Sequence, residues 1–107
     1  MIIKAIRGGG IGGWIDQLGP VDTDKIDQAP AGAVEAAVKA ADFFSVPDHL
    51  PGQSHPEMMA WKIDVEAGEQ QHSVSWIDTS QDSRIKGLQK ILEEVEAAGF
   101  DWTRVHQ

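Results

Sequence analysis

The sequence predicts an α+β two-layer sandwich of order ββαββα, a four-stranded antiparallel sheet with two helices on one face. Three observations carry this. Apolar residues alternate at Trp61, Ile63 and Val65 and again at Val74 and Trp76, with Gly68 between them. Ile85, Leu88, Ile91, Leu92 and Val95 recur at helical spacing. Near the start, two strand-like runs flank the glycines of Gly8 to Gly13, and a second helical pattern follows them.

Taken in order, Ile2 to Arg7 is rich in β-branched residues and predicts a strand ended by the glycines. Trp14 to Asp22 predicts a weaker strand, because Gly19-Pro20 suits an edge or a bulge. Pro30 fits a first helical turn, where its missing N–H costs nothing. Val34, Ala37, Val38, Ala41 and Phe44 then keep helical spacing, and the helix is expected to stop before Pro47. Pro47, Pro51, Gly52 and Pro56 make 45–56 the long irregular loop. The second hairpin turns at Gly68-Glu69-Gln70-Gln71. The last helix has Ser80 or Asp82 as its cap, and Gly99 lies just past its end, with Phe100 folding back on it.

At 107 residues the chain reads as a single domain, with a core over 1–99 and a tail over 100–107 that either packs through Trp102 or frays. Nine basic against seventeen acidic residues give a net charge of -8. That balance argues against nucleic acid and anionic membranes as partners, since phosphate binding needs clustered Lys and Arg. Cysteine is absent, which removes disulfides, thiolate metal sites and a cysteine nucleophile. The apolar run at the start is too short for a signal peptide or a membrane span, so cytoplasmic residence is the expectation.

Gly8, Gly10 and Gly13 match G-x-G-x-x-G. The dinucleotide reading needs a helix to begin at the glycines, so that its amides meet a pyrophosphate. Only Trp14 to Leu18 separate Gly13 from the next breaker, which removes that reading and leaves a hairpin connection or a protruding contact loop. His49 and His55 share the Pro-rich loop with Asp48 and Glu57 but lack the spacing of a zinc enzyme. His72 is expected on the surface. Asp16, Asp22, Asp24 and Asp27 read as a solvated acidic stretch. No catalytic, metal-binding or cofactor-binding residue is assigned. Trp61 and Trp76 belong to the core, whereas Trp14 is either an anchor for the loop or a contact residue.

Arg7 with the following "GGGIGG", the "VDTDKI" segment from Val21 to Ile26, "AADFFSVP" from Ala40 to Pro47 and "WKIDVEAGEQQHSV" from Trp61 to Val74 together resemble the emfourin family of peptidase inhibitors. The resemblance implies an inhibitor of thermolysin-like zinc metallopeptidases, bound over the active-site cleft, with no cofactor and no catalysis of its own. A non-catalytic interaction module using a sheet edge or the glycine loop is the alternative. The candidate contact residues are Arg7, Gly8, Gly9, Gly10, Ile11, Gly12, Gly13 and Trp14. A glycine loop brings its backbone close to another surface without side-chain bulk. Ordering it costs about 1–2 kcal/mol per residue, so it has to be held in advance, and Trp14 is placed to hold it. The free chain is expected to be a monomer.

Overall fold

The computed structural model describes residues 1–9, 13–53 and 58–105. Strands β1 (Ile2–Gly9), β2 (Trp14–Asp22), β3 (Met59–Ala67), β4 (Gln70–Ile77) and β5 (Thr103–Arg104) accompany helices α1 (Gln28–Ala40) and α2 (Ile85–Ala97). The strands form one antiparallel sheet in the order β4-β3-β1-β2-β5. This corrects the expected four strands and the order ββαββα. The residues after α2 return to the sheet as β5, pairing Thr103 with Gln17 and Arg104 with Asp16.

Register explains the layering. Ile3 of β1 lies opposite Val21 and Val65, and Ala5 lies opposite Leu18 and Ile63. All six are buried and join Val34 and Val38 of α1 and Leu88 and Ile91 of α2 in one core. The two helices therefore cover the same face of the sheet. Between Ile3 and Ala5 the register with β2 slips by one, so Gly19 and Pro20 together oppose Lys4. That is the bulge expected of Gly19-Pro20, and it lies past Asp16 and Gln17, the residues of β2 that pair with β5.

Three boundaries differ from expectation. α1 ends at Ala40, well short of Pro47, because Asp42 adopts φ 49 and turns the chain into a separate 3-10 turn at Phe43–Ser45. Phe44 thus leaves the helical series, while Phe43 drops into the core. The second hairpin turns on Gly68 and Glu69 alone, since Gln70 and Gln71 already pair with Ala67 and Glu66. The N-terminal cap of α2 falls on Arg84 rather than on Ser80 or Asp82. Asp82 still organises that entry, because its carboxylate accepts the Arg84 backbone N–H at 2.9 Å. Gly99 sits past the end of α2 with φ 103, and Phe100 packs against the core as expected.

Candidate functional site

Gly8 and Gly9 are strand residues rather than turn residues, which shortens the connection to 10–13. Gly8 lies opposite Ile15 and Ala60, and Gly9 opposite Trp14 and Met59. Gly9 has φ 113, and a Cβ there would collide with the Met58 carbonyl oxygen. The glycine is required where β1, β2 and β3 come together at one end of the sheet. Gly10, Ile11 and Gly12 lie outside the described residues. β2 begins at Trp14, immediately after Gly13, so a strand and not a helix follows the glycines.

Two positions in from the Gly9–Trp14 pair lies a charged cluster. Asp16 is only 7% exposed. Its carboxylate accepts Arg7 Nε at 3.3 Å and Arg104 Nε at 2.6 Å. The arginines then stack crosswise on tryptophans. The Arg7 guanidinium lies 4.2 Å from the ring centre of Trp102, and that of Arg104 lies 5.0 Å from the ring centre of Trp14. The hydrogen bond from Arg104 is the main influence holding the Asp16 carboxyl below its ordinary pKa, with Arg7 adding to it and burial opposing. The expectation of a solvated acidic stretch is corrected at Asp16. Asp22, by contrast, accepts the Asp24 backbone N–H at 3.0 Å on the surface.

Arg7 thus bonds the carboxylate directly while Trp14 reaches it only through Arg104, and both are half-buried. Arg104, Trp102 and Asp16 complete the arrangement, although sequence reasoning passed over them as functional residues. A signal existed for Asp16. In an antiparallel hairpin with a short connection after Gly9, Arg7 falls opposite Asp16. No local pattern announced the partners from the tail.

On the open face of the sheet, below the same hairpin, a shallow groove of about 430 Å³ runs between Ile6, Ile15, Met58 and Ala60. Lys62 and Ser75 bound it on the β3–β4 side. The described part of the hairpin thus offers an Arg–Asp–Arg layer on the helix side and an apolar depression on the other.

The remaining candidates resolve differently. His72 is not a surface histidine. Its side chain is 19% exposed, its ring packs against Phe43 and Phe44, and its two nitrogens face the Val46 carbonyl and the Asp48 carboxylate. His49 Nδ1 lies 2.5 Å from Ser75 Oγ. His55 and Glu57 lie outside the described residues, and among the described residues no three His, Asp or Glu side chains are grouped to hold a metal ion. Both sheet edges are partly blocked. The 48–50 segment bonds to Ser75 through its N–H and carbonyl on the outer side of β4, and β5 covers the start of β2. Among the described residues, no helix is long and apolar enough to cross a membrane.

Compared with known proteins, the chain matches the family model described as Emfourin over residues 6–93. The match spans the glycine hairpin, α1 and the second hairpin, and it ends inside α2. No curated protein and no solved structure matches the chain.

Proposed function

The chain belongs to the emfourin family, and on that premise we propose that it is a protein inhibitor of a thermolysin-like zinc metallopeptidase, with the glycine hairpin at its contact surface. Family membership is the observation that carries the peptidase. The hairpin is supported by its glycine-rich sequence and by a base braced by the Arg7–Asp16 pair at 3.3 Å. A segment that fills a substrate cleft has to present amides and carbonyls at close range while resisting rearrangement. In this reading the chain acts as one domain, monomeric when free and cytoplasmic, without a cofactor and without catalysis of its own.

The direct test is inhibition of a thermolysin-like enzyme by the purified chain. Potent inhibition is expected, and its absence at micromolar excess over the enzyme would sink the proposal. Replacing Gly10 and Gly12 with bulky residues is expected to weaken inhibition while the melting transition is retained. Unchanged potency would move the contact surface away from the hairpin. The alternative of a non-inhibitory module pairing through a sheet edge is weakened by the blocks at Ser75 and at Asp16–Gln17. A stable dimer in light scattering, together with no effect on any peptidase, would restore it.

A further inference from the structure

We infer that the segment following α2 is a strap that fixes the base of the glycine hairpin, with the carboxylate of Asp16 as its central attachment. Arg104 is the positioning residue. It belongs to β5, 88 residues away from Asp16 in sequence. The family match ends at residue 93, so neither Arg104 nor Trp102 lies within the matched region.

The geometry is reciprocal. Arg7 of β1 reaches Asp16 of β2 and stacks on Trp102 of the strap. Arg104 of the strap reaches the same carboxylate and stacks on Trp14 of β2. Each arginine therefore touches one tryptophan from the other side of the junction, and neither can swing away without exposing both Asp16 and an aromatic face. Hydrogen bonds to the β2 backbone tie the strap at the same level, with Val105 N–H donating to the Ile15 carbonyl at 2.9 Å and the Thr103 hydroxyl to the Gln17 carbonyl at 3.4 Å. Ile15 and Trp14 are the residues paired with Gly8 and Gly9. The strap therefore grips β2 at the point where the glycine connection returns to the sheet.

Glycine leaves a chain more backbone freedom than any other residue, and Gly8 and Gly9 end β1 without side chains to pack against β2. Bracing β2 from its outer side limits that freedom. The paired guanidinium and indole planes do so at the border of the core, where Trp102 packs against it while both arginines stay partly solvated. The Arg104 side chain is 56% exposed, in keeping with this.

The test uses the full chain with Arg104→Gln, and with Arg84→Gln as a control that breaks a comparable pair at the entry to α2. Amide hydrogen exchange is measured at residues 7, 8, 14 and 16 and, for reference, at Val65 and Val74. For Arg104→Gln, exchange at the hairpin base is expected to rise roughly tenfold while Val65 and Val74 stay within about twofold of the unmodified chain. The control is expected to leave the hairpin base unchanged. Unchanged exchange at residues 7, 8, 14 and 16, or equal acceleration throughout the sheet, would overturn the strap. The consequence for inhibition, a faster release of the peptidase by Arg104→Gln, rests on the proposed function. If the unmodified chain inhibits no thermolysin-like enzyme, that function falls while the exchange measurement still decides the strap.

Discussion

Trp61 and Trp76 face each other across β3 and β4 with ring centres 6.0 Å apart and planes 9° from parallel. They share the helix-side face of the sheet but not its burial. Trp76 is 4% exposed, whereas Trp61 is half-buried at the border of the core. Trp76→Ala is therefore expected to cost about 3–5 kcal/mol of stability and Trp61→Ala clearly less. A double-mutant cycle by urea unfolding should return a coupling of about 0.5–1.5 kcal/mol for the stacked pair. Additive effects would mean that the rings merely adjoin.

Two helical glycines are expected to respond in opposite ways. At Gly32 of α1 an added Cβ meets nothing within 4 Å. Gly32→Ala should therefore stabilise the chain by about 0.5–1 kcal/mol through the unfolded state and helix propensity. At Gly87 of α2 a Cβ meets the Ala41 Cβ at 3.1 Å, where α2 passes the end of α1. Gly87→Val should cost about 1–3 kcal/mol by forcing the helices apart. Thermal melts of the two variants check the sign of each.

The glycines of the hairpin are not equivalent. Gly9→Ala meets both a φ of 113 and the Met58 carbonyl, so a loss of about 1–3 kcal/mol is expected. Gly13 has φ 62 with open space around it. Gly13→Asn should be nearly neutral, since Asn tolerates the left-handed region. Denaturant midpoints decide, and equal losses at the two positions would contradict the geometry.

Acid is expected to act at two aspartates. The Arg84 side chain, aided by its backbone N–H, holds the Asp82 carboxyl down at about 2, against an ordinary 3.8. Asp16 is lowered in the same direction, chiefly by Arg104. A carboxylate whose folded pKa is depressed stabilises the fold fully above its unfolded value, and that contribution disappears as pH falls through the folded value. The melting temperature should therefore hold steady with respect to these groups from neutrality to about pH 4 and decline below it. Asp82→Asn and Asp16→Asn should each flatten that acid decline, as read from melts across a pH series.

Much of this fold was legible because its signals were local. The stripe from Ile85 to Val95 with Gly99 after it defined α2, and the alternation around Gly68 defined the second hairpin. Both patterns come from neighbours within a turn or a strand. The parts that escaped depend on distant partners. Thr103 and Arg104 have no strand pattern of their own, and only Gln17 and Asp16 make them β5. The acidity around Asp16 looked solvated because a carboxylate's burial is set by what the rest of the chain lays over it. His72 was misjudged for a similar reason, since Phe43 and Phe44 reach it from the 3-10 turn after α1. At α1 the obstacle was local after all. Helical spacing ran on to Phe44, but the left-handed turn at Asp42 ended the helix first.

Arg7, Arg84 and Arg104 are the only arginines in the sequence, and each is paired with Asp16 or Asp82. Of the lysines, Lys90 lies 2.9 Å from Glu94 and Lys62 lies 3.8 Å from Asp64. These cations are thereby neutralised at short range, and what reaches outward is the excess of acids behind the net charge of -8. The consequence is kinetic. A partner with a basic rim is drawn in from beyond contact distance, at a rate that falls steeply as salt is added. An acidic partner is turned away before any shape can be compared.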